Sequence, residues 1–334
     1  MANKSIKIGL LALCIMQVLA CSKDTSLQQN QVQIESREQI LPTDDLLPTN
    51  AEKSNGSKYS CSTSGGFANV TGLKYWCWED AVIPDYTGKK GVAFSDGYLH
   101  VDSECYEKQV VIENDKIKFN INPGYPLPDS WCSRDYNMRA EIRTSPWDVR
   151  HELGTEEWFG WTYTFGENYI IDRSNQWLFF QVHPGVTGMS PHTELLIIKD
   201  DQVNGHNAGE IFVINSPNED DYQPTGITPR AGETLSIVIH AIWGDENNGL
   251  LQVWINGQNI YDKQVPTVYK DYPWGGNAKW GIYKWPWAES EGVELSKNQG
   301  ISNLETFMGP LRMITRKPED SDYGSNSYAL VSPD

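Results

Sequence analysis

The sequence predicts an all-β protein, two antiparallel sheets packed face to face as a jelly-roll sandwich with a concave cleft. Three observations predict it. Short runs of alternating apolar and polar residues recur along the chain, no sustained 3.6-residue periodicity accompanies them, and Asn256-Gly257 sits between two such runs in "VWINGQNIY", a strong two-residue hairpin signal. No internal repeat points to a propeller instead.

Taken in order, the chain opens with Lys4 and Lys7 before an apolar stretch, residues 8–20, that is too short to span a bilayer as a mature helix. That is the pattern of a secretory signal peptide. It ends in Val18-Leu19-Ala20-Cys21, which resembles a bacterial lipobox. The resemblance implies cleavage before Cys21, lipidation of its thiol, and an exported lipoprotein tethered to the outer membrane or cell surface. Ser22-Lys23-Asp24 resembles a surface-export tag. Residues 1–21 are therefore read as a lipoprotein signal peptide. Residues 22–57, rich in polar residues and poor in aromatics, read as a flexible tether that cannot bury enough apolar surface to fold. Residues 58–334, where Trp and Tyr concentrate, read as the jelly-roll domain.

Besides Cys14 and Cys21, the chain holds Cys61, Cys77, Cys105 and Cys132. In an oxidising compartment that even set predicts two disulfides, with three connectivities open. No CxxC spacing marks a zinc site. The formal net charge of −17 argues against nucleic acid as partner. It leaves an anionic glycan open, because local cations can hold an acidic sugar on an acidic protein.

Residues 138–144, 158–165, 176–183, 193–199, 209–215, 234–243, 250–257 and 278–285 read as strands. Three of them carry polar stripes. In "QWLFFQVH" the period of two puts Leu178, Phe180 and Val182 on one face, and Trp177, Phe179, Gln181 and His183 on the other. In "MRAEIRT", Arg139, Glu141 and Arg143 oppose Ala140 and Ile142. In "NAKWGIYKW", Lys279, Gly281, Tyr283 and Trp285 oppose Trp280 and Ile282, and Gly281 is expected to let a ligand approach the backbone. As neighbours in one sheet, these strands would bring the polar groups together on a concave face. Arg suits a carboxylate through bidentate geometry. A histidine accepts a proton at ordinary pH. A phenol ionises at about pH 10 unless nearby cations lower that value, and Lys279 and the arginines are the sources at hand.

The strings R-A-E-I-R, Q-V-H and K-W-G-I-Y resemble the signature strands of jelly-roll polysaccharide lyases, whose alginate lyases carry R-x-E-L-R, Q-I-H and K-x-G-x-Y in the same order. The wider context, residues 135–290, is similar to the heparin lyase I and glucuronan lyase group. Ala140 and the "KWPW" after Gly281-Ile282-Tyr283 depart from the pattern and bear on substrate rather than chemistry. The resemblance implies cleavage of a uronic-acid polysaccharide by β-elimination: the carboxylate is neutralised, the C5 proton is removed, the 4-O group leaves, and an unsaturated uronate results. It implies a catalytic set of Arg139 and Gln181 on the carboxylate, Tyr283 as proton donor to the leaving oxygen, and His183. Tyr283 doubles as base where acid and base lie on one side of the sugar; His183 is the base for the opposite stereochemistry, or a neutral stabiliser.

Arg143, Lys279, Glu141, Trp285 and Trp177 are the expected substrate-binding residues, with Glu141 mainly orienting an arginine and the tryptophans stacking on sugar rings. Arg134, Arg150, Arg173 and Lys284 are candidates for sulfate recognition. His192 follows a loop that would border the cleft, and His240 lies in an apolar strand as a structural residue. The scheme calls for no metal and no cofactor beyond room for a structural calcium ion, and for a monomer. Two other readings compete: a non-catalytic glycan-binding lipoprotein on the same sandwich, and a retaining glycoside hydrolase. The hydrolase needs two carboxylates about 5 Å apart, and no E-x-D-x-x-E-like string supplies them.

Overall fold

The structure, a computed structural model, describes residues 70–79, 81–86, 91–103, 109–122, 138–219 and 221–333. The expected signal peptide with Cys21, the expected 22–57 tether, Cys61, Cys105, Cys132 and Arg134 lie outside them. Cys77 is disulfide-bonded.

The strands in chain order are β1 (Leu73–Trp76), β2 (Val92–Ala93), β3 (Leu99–Ser103), β4 (Val110–Glu113), β5 (Lys116–Ile121), β6 (Arg139–Thr144), β7 (Glu156–Phe165), β8 (Trp177–His183) and β9 (Thr193–Ile197). They continue as β10 (Ile211–Asn215), β11 (Asp221–Pro224), β12 (Thr234–Ile242), β13 (Leu250–Ile255), β14 (Gln258–Gln264), β15 (Asn277–Tyr283), β16 (Leu304–Met308) and β17 (Leu311–Arg316). Two short α-helices, α1 (Ser290–Lys297) and α2 (Tyr328–Val331), and two 3₁₀ turns, Ser216–Asn218 and Trp285–Ala288, complete the regular structure among the described residues. All pairings are antiparallel, and the strands form two sheets. The eight-stranded sheet runs β11-β10-β9-β8-β15-β6-β3-β2, and the other, nine-stranded, holds β14-β13-β12-β7-β16-β5-β4 with β1 and β17. This is the two-sheet antiparallel sandwich that the alternating runs predict.

The core between the sheets is aromatic. Phe159, Trp161, Tyr163 and Phe165 alternate inward from β7 and meet β8 and β15: Trp161 stacks on Phe180 at 5.0 Å, Tyr163 on Phe179 at 4.8 Å, and Phe159 meets Trp280 edge-on at 5.7 Å. Each such fully buried side chain contributes about 1.5–3 kcal/mol relative to exposure. The Tyr163 hydroxyl donates to the Gly281 carbonyl at 2.8 Å, tying the two sheets together. The β13–β14 hairpin turns at Asn256 (φ 51°) and Gly257 (φ 75°), the double positive φ of a type I′ turn.

Two register shifts change which faces are presented. One lies between Leu178 and Phe180 of β8, so Trp177 and Phe179 point into the core beside Phe180, and Leu178 points out. The other lies in β15 between Trp280 and Tyr283, with Gly281 at φ 136°. A Cβ on Gly281 would sit 2.2 Å from the Ala140 carbonyl oxygen. The glycine makes room for the neighbouring strand, not for a ligand as its place in the stripe suggested.

Candidate active site

The register of the eight-stranded sheet brings the three polar stripes side by side. Cross-strand pairing joins Tyr222, Ile214, Glu194, Gln181, Lys279, Arg143 and His100 into one row across seven strands, β11 to β3. Farther along the strands, four residues on in β6 and β15, Leu196, Leu178, Tyr283 and Arg139 form a second row. Apart from the strand-end residues and Leu178, which the β8 bulge turns outward, these rows owe their outward direction to the period of two, because the alternate residues Val182, Ala278, Trp280, Ala140 and Ile142 fill the core.

Above the rows lies a cleft in two adjoining parts, of about 730 and 430 Å³. Arg139, Trp147, His183 and Tyr283 line both parts, so the imidazole and the phenol open onto one space. Arg143 and His100 belong to the larger part; Gln181, Glu194 and Trp285 belong to the smaller.

Under the cleft floor sits a charge cluster centred on Asp102 of β3. Lys279 Nζ donates to Asp102 Oδ2 at 2.7 Å, Arg139 Nη1 stands 3.5 Å from the same oxygen and Arg143 Nε 3.8 Å. Burial opposes ionisation of Asp102, but Lys279, Arg139 and Arg143 outweigh it and hold its carboxyl well below the usual range. Glu141 behaves oppositely: complete burial, helped by Asp102, raises its pKa against the pull of Lys279, Arg139 and Gln181. Gln181 Nε2 donates to Glu141 Oε1 at 2.7 Å, and Arg139 Nε lies 3.4 Å from Glu141 Oε2. Lys279, 1 % exposed, is thus held from below by Asp102, while the Trp147 ring covers its ammonium at 4.3 Å. Glu141 thus sits beside Arg139, in the orienting role expected of it, and Lys279 lines the smaller part of the cleft although it is nearly buried.

His183 is held on two sides. Its ring stacks on Trp147 with centroids 4.7 Å apart, and the Gly185 N–H donates to its Nδ1 at 3.0 Å. Asn277 Nδ2 donates to the carbonyls of both Trp147 and His183, which fixes the two rings together. Burial first, then Lys279, Arg139 and His192, push the His183 pKa down to about 3 against the opposite pull of Asp102. The ring is therefore neutral at neutral pH. With Nδ1 accepting, its one proton resides on Nε2, making that nitrogen the donor of the ring. Tyr283 lies against Arg139, whose guanidinium carbon is 4.3 Å from the phenol centroid, and against Trp285 at 5.6 Å.

A family model described as polysaccharide lyase matches residues 96–303, which contain every residue of the two cleft rows. The chain belongs to the polysaccharide lyase family. Among solved structures, this lyase is similar to the endo-β-1,4-glucuronan lyase of the fungus Trichoderma reesei, at 15 % identity and TM-score 0.44 over 73 % of this chain and 97 % of that one. It is also similar to the alginate lyase Aly36B (12 %, TM-score 0.48, 75 % and 100 % covered) and to the alginate lyase of Alteromonas sp. 272 (14 %, TM-score 0.46, 67 % and 96 % covered). No curated protein matches the chain.

Several expectations for the lyase change with its geometry. Trp177 is not at the cleft: the β8 bulge turns it into the core against Phe165 and Tyr169. Lys284, a sulfate candidate, is buried with Asp172 at 2.8 Å, and Arg173 is bound to Asp200 at 2.7 Å. Arg150 lies over Tyr272 and Trp274. His192 is fully buried between Trp243 and Tyr269. His240, in keeping with the structural role expected of it, stacks on Trp158 on the other sheet and bonds Glu156 and Gln252, away from the cleft. Three site residues escaped the sequence reading: Asp102, His100 and Trp147. The first two lie on the short strand "LHVDS", whose alternation was a usable signal; Trp147 follows a proline in a loop and gave none. Among the described residues no cluster of three or more His, Cys, Asp or Glu is arranged to hold a metal ion.

Proposed function

We propose that this lyase cleaves a uronic-acid-containing polysaccharide by β-elimination, with Tyr283 as both base and acid and His183 as a neutral hydrogen-bond donor. The observation that carries the reading is a neutral imidazole, a guanidinium and a phenol lining one cleft over a floor held by Asp102.

The C5 proton of a uronate is weakly acidic while the carboxylate keeps its charge, because the carbanion pushes more charge onto it. The Arg139 fork and the His183 Nε2–H are the donors for that developing charge, and they are already oriented before substrate arrives. Starting as a phenolate, the Tyr283 oxygen takes the C5 proton as the C5–H bond breaks and so becomes the phenol. That electron pair becomes the C4–C5 double bond, the C4–O bond breaks, and the departing oxygen receives a proton from Tyr283. The His183 tautomer favours this division of labour: a nitrogen that already bears hydrogen cannot act as the base. Gln181, held by Glu141, forms the wall beside the carboxylate.

The enzyme is read as an exported lipoprotein on the strength of residues 18–21, placing it where extracellular polymer is met. Incubation with a panel of uronate polymers tests the reaction. Ultraviolet absorbance from the conjugated unsaturated uronate is expected with at least one of them. Sugar binding without that absorbance would favour the glycan-binding alternative, and new reducing ends without it would favour hydrolysis.

A further inference from the structure

Asp102 stands outside the strings R-A-E-I-R, Q-V-H and K-W-G-I-Y, yet cations of the cleft converge on it. Alternation along β3 sends Leu99 and Val101 into the core, while His100 and Asp102 line the larger part of the cleft. Register sets Asp102 opposite Glu141 and His100 opposite Arg143. Lys279 starts two strands away, about 10 Å at the spacing of a sheet, and reaches across β6 to Asp102 Oδ2. Arg139 Nη1 and Arg143 Nε close on the same oxygen. Three cations from two strands thus share one carboxylate oxygen.

We infer that Asp102 is a positioning residue for the elimination: by offsetting the repulsion among Arg139, Arg143 and Lys279, its negative charge keeps the Arg139 guanidinium where it meets the charge developing on the uronate carboxylate. This rests on the lyase reading above.

The surroundings of the three cations argue for it. Lys279 and Arg143 are buried, and like charges repel strongly where water is excluded. Asp102, itself buried, supplies the opposing charge. Glu141 does not take its place: burial favours the uncharged form of its carboxyl, and its Oε1 is engaged by Gln181. The two carboxyls divide the work on Arg139. Asp102 meets it at Nη1 and Glu141 stands 3.4 Å from Nε, with the guanidinium carbon over the Tyr283 ring. A guanidinium gripped in that way is oriented before substrate arrives, which is what makes a donor effective in the transition state. Misplacing such a group by about 1 Å costs on the order of a hundredfold in rate. Stability alone is a poor reason for the cluster, because buried ion pairs contribute little net stability over apolar residues of similar volume.

Asp102→Asn tests this, since it keeps the size and an oxygen acceptor but removes the charge. On the uronan that the wild type cleaves fastest, kcat for unsaturated-uronate formation is expected to fall about tenfold to a hundredfold. KM is expected to stay the same or fall, because the cleft becomes more positive toward a polyanion. A merely structural role would not split the two constants in that direction. Wild-type kcat in Asp102→Asn, or a loss confined to KM, overturns the inference. Should Asp102→Asn fail to fold with Lys279 left unpaired, the same change is read in Lys279→Met, which removes both charges of the pair. The double variant is then expected to turn over about tenfold more slowly than Lys279→Met alone; equal rates overturn the inference. These outcomes leave the lyase reading intact, because the wild type still forms product. No unsaturated product from the wild type on any uronan would overturn that reading, and the inference with it.

Discussion

His183 shows how a single residue's surroundings decide its chemistry. In isolation an imidazole near neutral pKa is the natural base, and the sequence alone leaves it competing with Tyr283 for that role. Burial and the neighbouring cations settle its charge, and the Gly185 N–H settles its tautomer. None of these is written in the Q-V-H string. A pH dependence follows. An unfolded histidine binds its proton near pH 6.5, whereas His183 does so at about 3 and His192 at about 4. The unfolded chain therefore binds more protons than the folded one between those values. The contribution of these groups to stability is complete above about pH 6.5 and is lost as pH falls toward 3. Thermal unfolding at pH 7, 5 and 4 should show a falling midpoint, with a shallower fall in His192→Phe. Correspondingly, kcat/KM should show no acid limb near the ordinary histidine value. A limb there that disappears in His183→Gln would mean that His183 titrates in the free enzyme.

At the scale of elements, all eight strands anticipated from alternation are present, and so is the Asn256-Gly257 turn. Period-two patterning and turn chemistry are local signals, and they survive in any context that buries one face. The bulges are different. A one-residue slip reverses every side chain beyond it, and nothing in "QWLFFQVH" marks where the slip falls, since Trp177, Leu178, Phe179 and Phe180 are all apolar. The Trp177 assignment failed for that reason, whereas Gln181 and His183, beyond the slip, kept their face. Strand β3 was missed because His100 and Asp102 make it look like a polar loop; its partners in β6 are what give those residues a purpose. Trp177→Ala should then cost about 3–5 kcal/mol of stability, seen as a lower denaturation midpoint, with KM for polymer unchanged. A raised KM at unaltered stability would put the ring back in the cleft.

For the whole molecule, charge sets the terms on which substrate arrives. The formal net charge is −17, and the cations of the cleft are partly compensated by Asp102 and Glu141. A polyanion approaching at low ionic strength meets long-range repulsion before it meets Arg139 and Arg143. Screening shortens that repulsion to about 10 Å at 0.1 M salt. Initial kcat/KM on a charged polymer should therefore rise as salt is added from low ionic strength. A steady fall would mean that the local field of the cleft governs encounter. The proposed elimination requires Tyr283 to move the proton. The most direct test compares Tyr283→Phe with the wild-type enzyme on the polymer it cleaves fastest, following unsaturated uronate by absorbance and binding by tryptophan fluorescence. The predicted result is loss of turnover by at least about a hundredfold with binding retained; turnover near the wild-type rate would contradict the mechanism.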